Sequence, residues 1–134
     1  MYRNLFYLTD NHATPRWLMR YFEGWFDPCP LDPELSGLAI DWRDPTYANI
    51  PYSNPGPWVD KAIVEAAKGC RVVLLTRVDP STEWWLKLVA AGARVAFFHG
   101  RIKFTGPGSP NFASALWFLR GPSLTPASNA SSGE

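Results

Sequence analysis

Thr46 to Thr76 reads TYANIPYSNPGPWVDKAIVEAAKGCRVVLLT, and three patterns succeed one another within it. Tyr47-Ala48-Asn49 is a short strand. Pro57 to Lys68 is a helix with Val59, Ile63, Ala66 and Ala67 on its apolar face, and Gly69 is its stop. Arg71 to Thr76 is a continuous apolar, β-branched run, the pattern of a strand buried on both faces. Strand, helix and strand in unbroken succession predict a parallel α/β unit. The junction Asn49-Ile50-Pro51-Tyr52, running on into Ser53-Asn54-Pro55-Gly56-Pro57-Trp58, falls at the C-terminal edge of the first strand, where open α/β sheets bind ligands. Its chemistry suits a flat ring bearing an amine. The Asn49 oxygen and the Ile50 carbonyl each accept an amine hydrogen, Pro51 brings no competing N–H, and Tyr52 stacks on the ring. Such a clamp polarises a poor nucleophile without a strong base.

Working outward, Pro80 to Ala91 is the next helix, stopped by Gly92, and Arg94 to Phe98 is the next strand. A long loop from Gly100 to Ala113, dense in Gly, Pro and Ser, leads to a last strand from Ser114 to Arg120. Loops of that length are usually functional or disordered. No helix precedes the last strand, so it is expected antiparallel to its neighbour. Upstream, Thr14 is a helix N-cap and Pro15 the first helical residue, with Trp17, Leu18, Tyr21 and Phe22 at helical spacing and Gly24 as the end. Trp25-Phe26 forms a very short strand before the turn Asp27-Pro28-Cys29-Pro30. Residues 31–45 are mostly loop, with Leu38-Ala39-Ile40 a candidate strand. Residues 1–121 form one domain, and the Ser/Thr/Pro/Ala-rich residues 122–134 a flexible tail.

A chain of 134 residues with 46% hydrophobic and 19% charged residues is large enough to bury a core. Its seven tryptophans belong mostly to that core, with one or two free to line a base or adenosyl pocket. A net charge of +1 means that any phosphate contact comes from a local basic patch. No apolar run reaches the roughly 18 residues of a membrane span, and the N-terminus lacks a signal-peptide pattern, so a cytoplasmic setting without membrane contact is the expectation. Cys29 and Cys70, His12 and His99 form no ligand cluster, and no metal site is expected.

Asn49-Ile50-Pro51-Tyr52 resembles the Asn/Asp-Pro-Pro-Tyr motif of amino-directed methyltransferases that use S-adenosylmethionine. Roughly residues 12 to 120 resemble the phage-type DNA N6-adenine methyltransferase (Dam-like) family. The similar segments are Thr14-Pro15 with Trp17-Leu18, Phe26-Asp27-Pro28-Cys29-Pro30-Leu31, Ser36-Gly37-Leu38, and Asp41-Trp42. They continue with Thr76-Arg77-Val78-Asp79-Pro80, Glu83-Trp84-Trp85, His99-Gly100-Arg101-Ile102-Lys103-Phe104, and Asn111 to Leu116. The resemblance implies a compact Rossmann-like, S-adenosylmethionine-dependent methyltransferase fold, mostly parallel with a final antiparallel strand. It implies catalysis by Asn49, Ile50, Pro51 and Tyr52. On the cofactor side it places Thr14 and Pro15 at the carboxylate end, Asp27, Pro28 and Cys29 by the methionine amino group, and Asp41 near the adenosine. The substrate would be double-stranded DNA with the adenine flipped out, methylated by in-line displacement of the sulfonium methyl. Arg101 and Lys103, alternate residues of an extended segment, face one side and are the candidates for phosphate contact. Trp84 and Trp85 are assigned to the core.

Two features depart from that pattern. Ile50 stands where proline is usual, which keeps the carbonyl but loosens the turn, and no G-x-G-x-x-G cradle is present. Two other readings therefore stand beside the first. One is methyl transfer to another amino or amide acceptor, an RNA base or a protein Gln. The other is a catalytically silent nucleic-acid-binding homologue. Specificity would come from loops 31–45 and 100–113 or from self-association as a homo-oligomer, and a virus-encoded protein acting in a host cytoplasm fits equally.

Overall fold

The computed structural model describes residues 13–29, 36–100, 102 and 113–121. Helix α1 (Arg16–Met19) continues into a 3-10 turn (Arg20–Phe22), and a second 3-10 turn covers Gly37–Ala39. Then come β1 (Thr46–Asn49), α2 (Gly56–Ala67), β2 (Val72–Arg77), α3 (Glu83–Ala90), β3 (Arg94–Phe97) and β4 (Ser114–Leu119). The expected tail, 122–134, lies outside the described residues.

The sheet order is β1-β2-β4-β3. β1 and β2 pair in parallel, with Asn49 opposite Leu75. β4 runs antiparallel to both β2 and β3, inserted between them. The final strand is thus antiparallel as expected, but the expectation of a mostly parallel sheet is corrected, since two of the three strand pairings are antiparallel. The reason is the insertion itself: one reversed strand between two co-directional ones converts both of its ladders. Phe26 adds an isolated parallel bridge to Thr46 on the far side of β1.

Alternation along the strands divides the core in two. Val72, Leu74, Ala115 and Trp117 face α2 and α3, where Val59, Ala62, Trp84, Trp85 and Leu88 complete one cluster. Val73, Leu75 and Leu116 face the other way, against Leu18 and Phe22 of the first helical segment. Trp84 and Trp85 are buried, as expected. Trp117 is fully enclosed, and its indole N–H donates to the Thr76 hydroxyl at 3.0 Å, so its one polar atom is satisfied.

Several local expectations change. Leu38-Ala39-Ile40 is not a strand but lies in and after the 3-10 turn, which Ser36 caps by accepting from the Leu38 N–H. On α2 the inward face is Val59, Ala62, Glu65 and Ala66, while Ala67 is exposed. The helical period admits Glu65 because Lys61 and Lys68 reach its carboxylate at 2.9 and 3.1 Å. Helix α3 starts at Glu83 rather than Pro80, because Thr82 caps it by accepting from the Trp85 N–H. β3 is exposed along its whole length, an edge strand.

Candidate active site

The C-terminal ends of β1 and β2, the start of β4 and the turn after Phe26 all meet at one edge of the sheet. Asn49 closes β1 with its side chain on the α1 face, the same face as Tyr47. Thr14, just ahead of α1, links the two. The Asn49 amide donates to the Thr14 hydroxyl at 3.2 Å, and the Thr14 and Tyr47 hydroxyls lie 3.0 Å apart. Thr14 is therefore not the helix cap. Pro15 occupies that position, and its carbonyl accepts from the Leu18 and Met19 N–H groups. The threonine hydroxyl is drawn away by the two polar groups of β1. Burial pushes the Tyr47 phenol well above its ordinary range, an effect opposed by the Thr14 hydrogen bond and reinforced by the charge of Asp27. Tyr47 stays protonated and serves as an anchor.

Ile50 is buried in the cluster under α2 and α3. Where the methyltransferase motif has a ring that fixes φ, this chain fixes the turn by burying a branched side chain. Tyr52 returns to the opposite cluster, where its ring packs with Leu75, Leu116 and Ile102 and is 5% exposed. Its hydroxyl lies against that of Ser114, the first residue of β4, and burial raises its pKa strongly. The Arg77 guanidinium, at the end of β2, donates to the Tyr52 carbonyl, pairs with Asp79 at 3.3 Å and lies over the Trp84 ring at 5.4 Å. Arg77 thus ties the end of the tetrapeptide to β2.

Asp27 follows the Phe26 bridge and so stands beside β1 near Tyr47. Asp27 is solvent-exposed, yet partial desolvation by its surroundings pushes its carboxyl above the ordinary value, partly offset by the Cys29 N–H, which donates to it at 2.9 Å. Pro28 is buried behind it and packs directly on Gly37, where any Cβ would collide with the Pro28 carbonyl oxygen. Trp42 holds the 3-10 turn in place by donating its indole N–H to the Gly37 carbonyl at 2.8 Å.

The structure therefore gathers Thr14, Asp27 and the Asn49–Tyr52 segment at one edge, with Pro15, Pro28 and Cys29 adjoining. Asp41 does not join them. Its side chain is 90% exposed and pairs with Lys68 at 3.6 Å, at the C-terminal end of α2 and hence at the opposite edge. A cavity of about 340 Å³ bounded by Trp25, Phe26, Arg43 and Pro45 also opens at that far end. Arg101 and Lys103 lie outside the described residues. Sequence reasoning placed Arg77 and Ser114 in the similar segments and Tyr47 in the first strand but gave none of the three a role at this edge. The one available signal was Arg77, a charge ending an apolar strand at the edge where Asn49 also ends. Among the described residues there is no cluster able to hold a metal ion and no helix long and apolar enough to cross a membrane.

Known proteins match this sequence. A family model described as DNA N-6-adenine-methyltransferase (Dam) matches residues 31–119, which include the tetrapeptide and every strand of the sheet. A curated relative named DNA N-6-adenine-methyltransferase, from Haemophilus phage HP1 (strain HP1c1), is 32% identical over 114 residues. That similarity covers 71% of this chain and 66% of the relative, so the chain spans just under two thirds of the relative's length. With two thirds of its residues, Asn49-Ile50-Pro51-Tyr52 included, inside the family match, the chain belongs to the DNA N-6-adenine-methyltransferase (Dam) family.

Proposed function

We propose that this protein methylates DNA at the exocyclic N6 of adenine, with S-adenosylmethionine as methyl donor. The observation that carries the reading is the position of Asn49-Ile50-Pro51-Tyr52 within the family match, at the C-terminal end of β1 with Thr14 and Asp27 gathered beside it. The strand order also supports a Rossmann-like methyltransferase sheet, since the last strand enters antiparallel between its two predecessors.

The residues at the edge fit the cofactor. An ionisable carboxylate, Asp27, held by its own turn through the Cys29 N–H, suits a primary ammonium, and Pro28 and Cys29 form the wall around it. When bound, S-adenosylmethionine supplies an electrophilic sulfonium methyl. The chain's own task is to hold and polarise the acceptor. Asn49 and the Ile50 carbonyl accept the two N6 hydrogens of a flipped adenine, which turns the nitrogen lone pair out of conjugation with the ring. Orientation and fixed dipoles then supply the acceleration. Tyr52 stacks on the adenine in this reading. Since its ring is 5% exposed, the surrounding side chains must rearrange when DNA binds.

The test is transfer of a tritiated methyl group to unmethylated duplex DNA, followed by nuclease digestion and identification of the base. Wild-type protein is expected to form N6-methyladenine, and folded Asn49→Ala protein to lose at least a hundredfold, on the order of a lost preorganised hydrogen-bonding group. Full activity in that variant sinks the assignment. Incorporation into RNA or protein instead of DNA would move the same chemistry to another amino or amide acceptor.

A further inference from the structure

The first helical segment carries a surface that the catalytic edge does not use. Leu18 and Phe22 point into the core, whereas Arg16, Trp17, Arg20 and Tyr21 point outward. Trp17 is 51% and Tyr21 70% exposed, unusual for such large rings. Arg16 and Arg20 are four residues apart and so lie on one side, separated by a rise of about 6 Å. Among the described residues neither has an ion-pair partner. Lys61, Lys68, Arg71, Arg77 and Lys87 each hold a carboxylate, whereas Arg43, Arg94 and Arg120, like Arg16 and Arg20, hold none among the described residues; of these only Arg16 and Arg20 share a helical face with exposed aromatic rings. Glu23, the acid nearest in sequence, forms no ion pair with either arginine. Two uncompensated guanidinium groups interleaved with two exposed aromatic rings thus form one face.

That face adjoins the catalytic edge. Thr14, two residues before Arg16, is hydrogen-bonded to Asn49, and the Trp17 ring meets that of Phe98 edge-on at 6.0 Å. We propose that Arg16, Trp17, Arg20 and Tyr21 form the surface that grips the backbone of duplex DNA beside the target base. This rests on the DNA-methylating reading above.

Charge selects the occupant. A guanidinium fork matches phosphate oxygens in a bidentate fashion, the tyrosine hydroxyl is a further phosphate donor, and the indole packs against a sugar. An apolar protein partner would leave both arginines desolvated and unpaired, which is strongly unfavourable. A second copy placed symmetrically on the same face would bring four guanidinium groups into one interface with no carboxylate on the face to offset them. A polyanion meets every group on the face.

Fluorescence anisotropy of a labelled duplex with the full chain, at salt from about 50 to 200 mM, tests the surface. The Arg16→Ala/Arg20→Ala variant is expected to raise Kd about tenfold, equally for all duplex sequences. It should also flatten the slope of log affinity against log salt by about 2, one unit for each phosphate that is no longer neutralised. Arg16→Lys/Arg20→Lys should keep the slope, which excludes misfolding as the cause. Trp17→Ala should weaken binding with the slope unchanged. Unaltered Kd and slope in the alanine pair, with a wild type that binds and methylates DNA, overturn the proposed surface alone. A wild type that neither binds nor methylates DNA overturns the surface and the methylating reading together. Self-association seen by sedimentation, abolished by Trp17→Ala while DNA affinity stays constant, would assign the face to contact between copies and overturn the proposal.

Discussion

Asn49 illustrates how much of a site rests on a neighbour distant in sequence. Its amide donates to a hydroxyl 35 residues earlier, and that hydroxyl is in turn held by Tyr47. An amide fixed through its nitrogen keeps its oxygen in a defined direction, which is what an acceptor of an amine hydrogen requires. Thr14→Val, which keeps shape and removes the hydroxyl, is expected to lower methyl-transfer turnover about tenfold, the equivalent of one ordinary hydrogen bond. Thr14→Ser should retain most of it. Equal loss in both variants would assign Thr14 to packing. Asp27 offers a second prediction, with the opposite sign for stability. Its folded-state pKa lies above the ordinary carboxyl value, so the protonated form is favoured by folding, and that contribution is lost as pH rises through the folded value. At neutral pH the charge is therefore a burden on the fold. Asp27→Asn should melt at the same or a higher temperature while binding S-adenosylmethionine more weakly by calorimetry. Undiminished affinity would remove Asp27 from the proposed cofactor site. The trade of stability for a poised charge is common at functional edges.

Among the elements, the 3-10 turn Gly37–Ala39 has a clear positional role. It packs on Pro28 so closely that only glycine fits at position 37. Gly37→Ala must separate the turn from the Asp27–Cys29 segment. The expected result is a loss of about 1–3 kcal/mol in denaturant unfolding, the range for overpacking, together with weaker cofactor binding. A neutral substitution would show that the close packing is not required. The regular elements were easier to read. β2 lies within one residue of its sequence-based limits, and β1 gains only Thr46, because Val72 to Leu75 are buried on both faces and periodicity reports burial directly. The residues 37–40 misled because three apolar side chains in a row have no period to distinguish a strand from a helical turn. Their conformation is set locally by the Ser36 cap and, from outside the turn, by Trp42 and Pro28, which act through tertiary contact and not through the apolar pattern.

At the scale of the whole molecule, Glu65 joins the layers. It is 2% exposed, accepts from the Trp42 main-chain N–H at 3.2 Å, and pairs with Lys61 and Lys68, so it fastens the chain preceding β1 to α2. Burial opposes its ionisation, but the hydrogen bonds from Lys61, Lys68 and Trp42 outweigh that and hold its carboxyl below the ordinary value of 4.5. A depressed folded pKa contributes stability above the unfolded value, and that contribution disappears as pH falls through the folded one. The melting temperature of the wild type should thus fall as pH drops below about 4.5. Glu65→Gln should melt lower at pH 7 and show a shallower acid decline. Parallel declines in the two proteins would place the acid sensitivity elsewhere.

The sequence by itself determined the alternation of strands and helices from residue 46 onward, the antiparallel last strand, and the tetrapeptide at a strand's C-terminal edge. These are written in periodicity, turn residues and chain order, all of which are local. Only the tertiary structure decided that β4 lies between β2 and β3, which makes antiparallel ladders the majority. It also decided that Thr14 serves Asn49 rather than its own helix, and that Asp41 stands at the edge opposite the site. Strand order and side-chain partners depend on which distant surfaces bury each other and which polar groups are then left to satisfy. A one-dimensional pattern does not encode the identity of those neighbours.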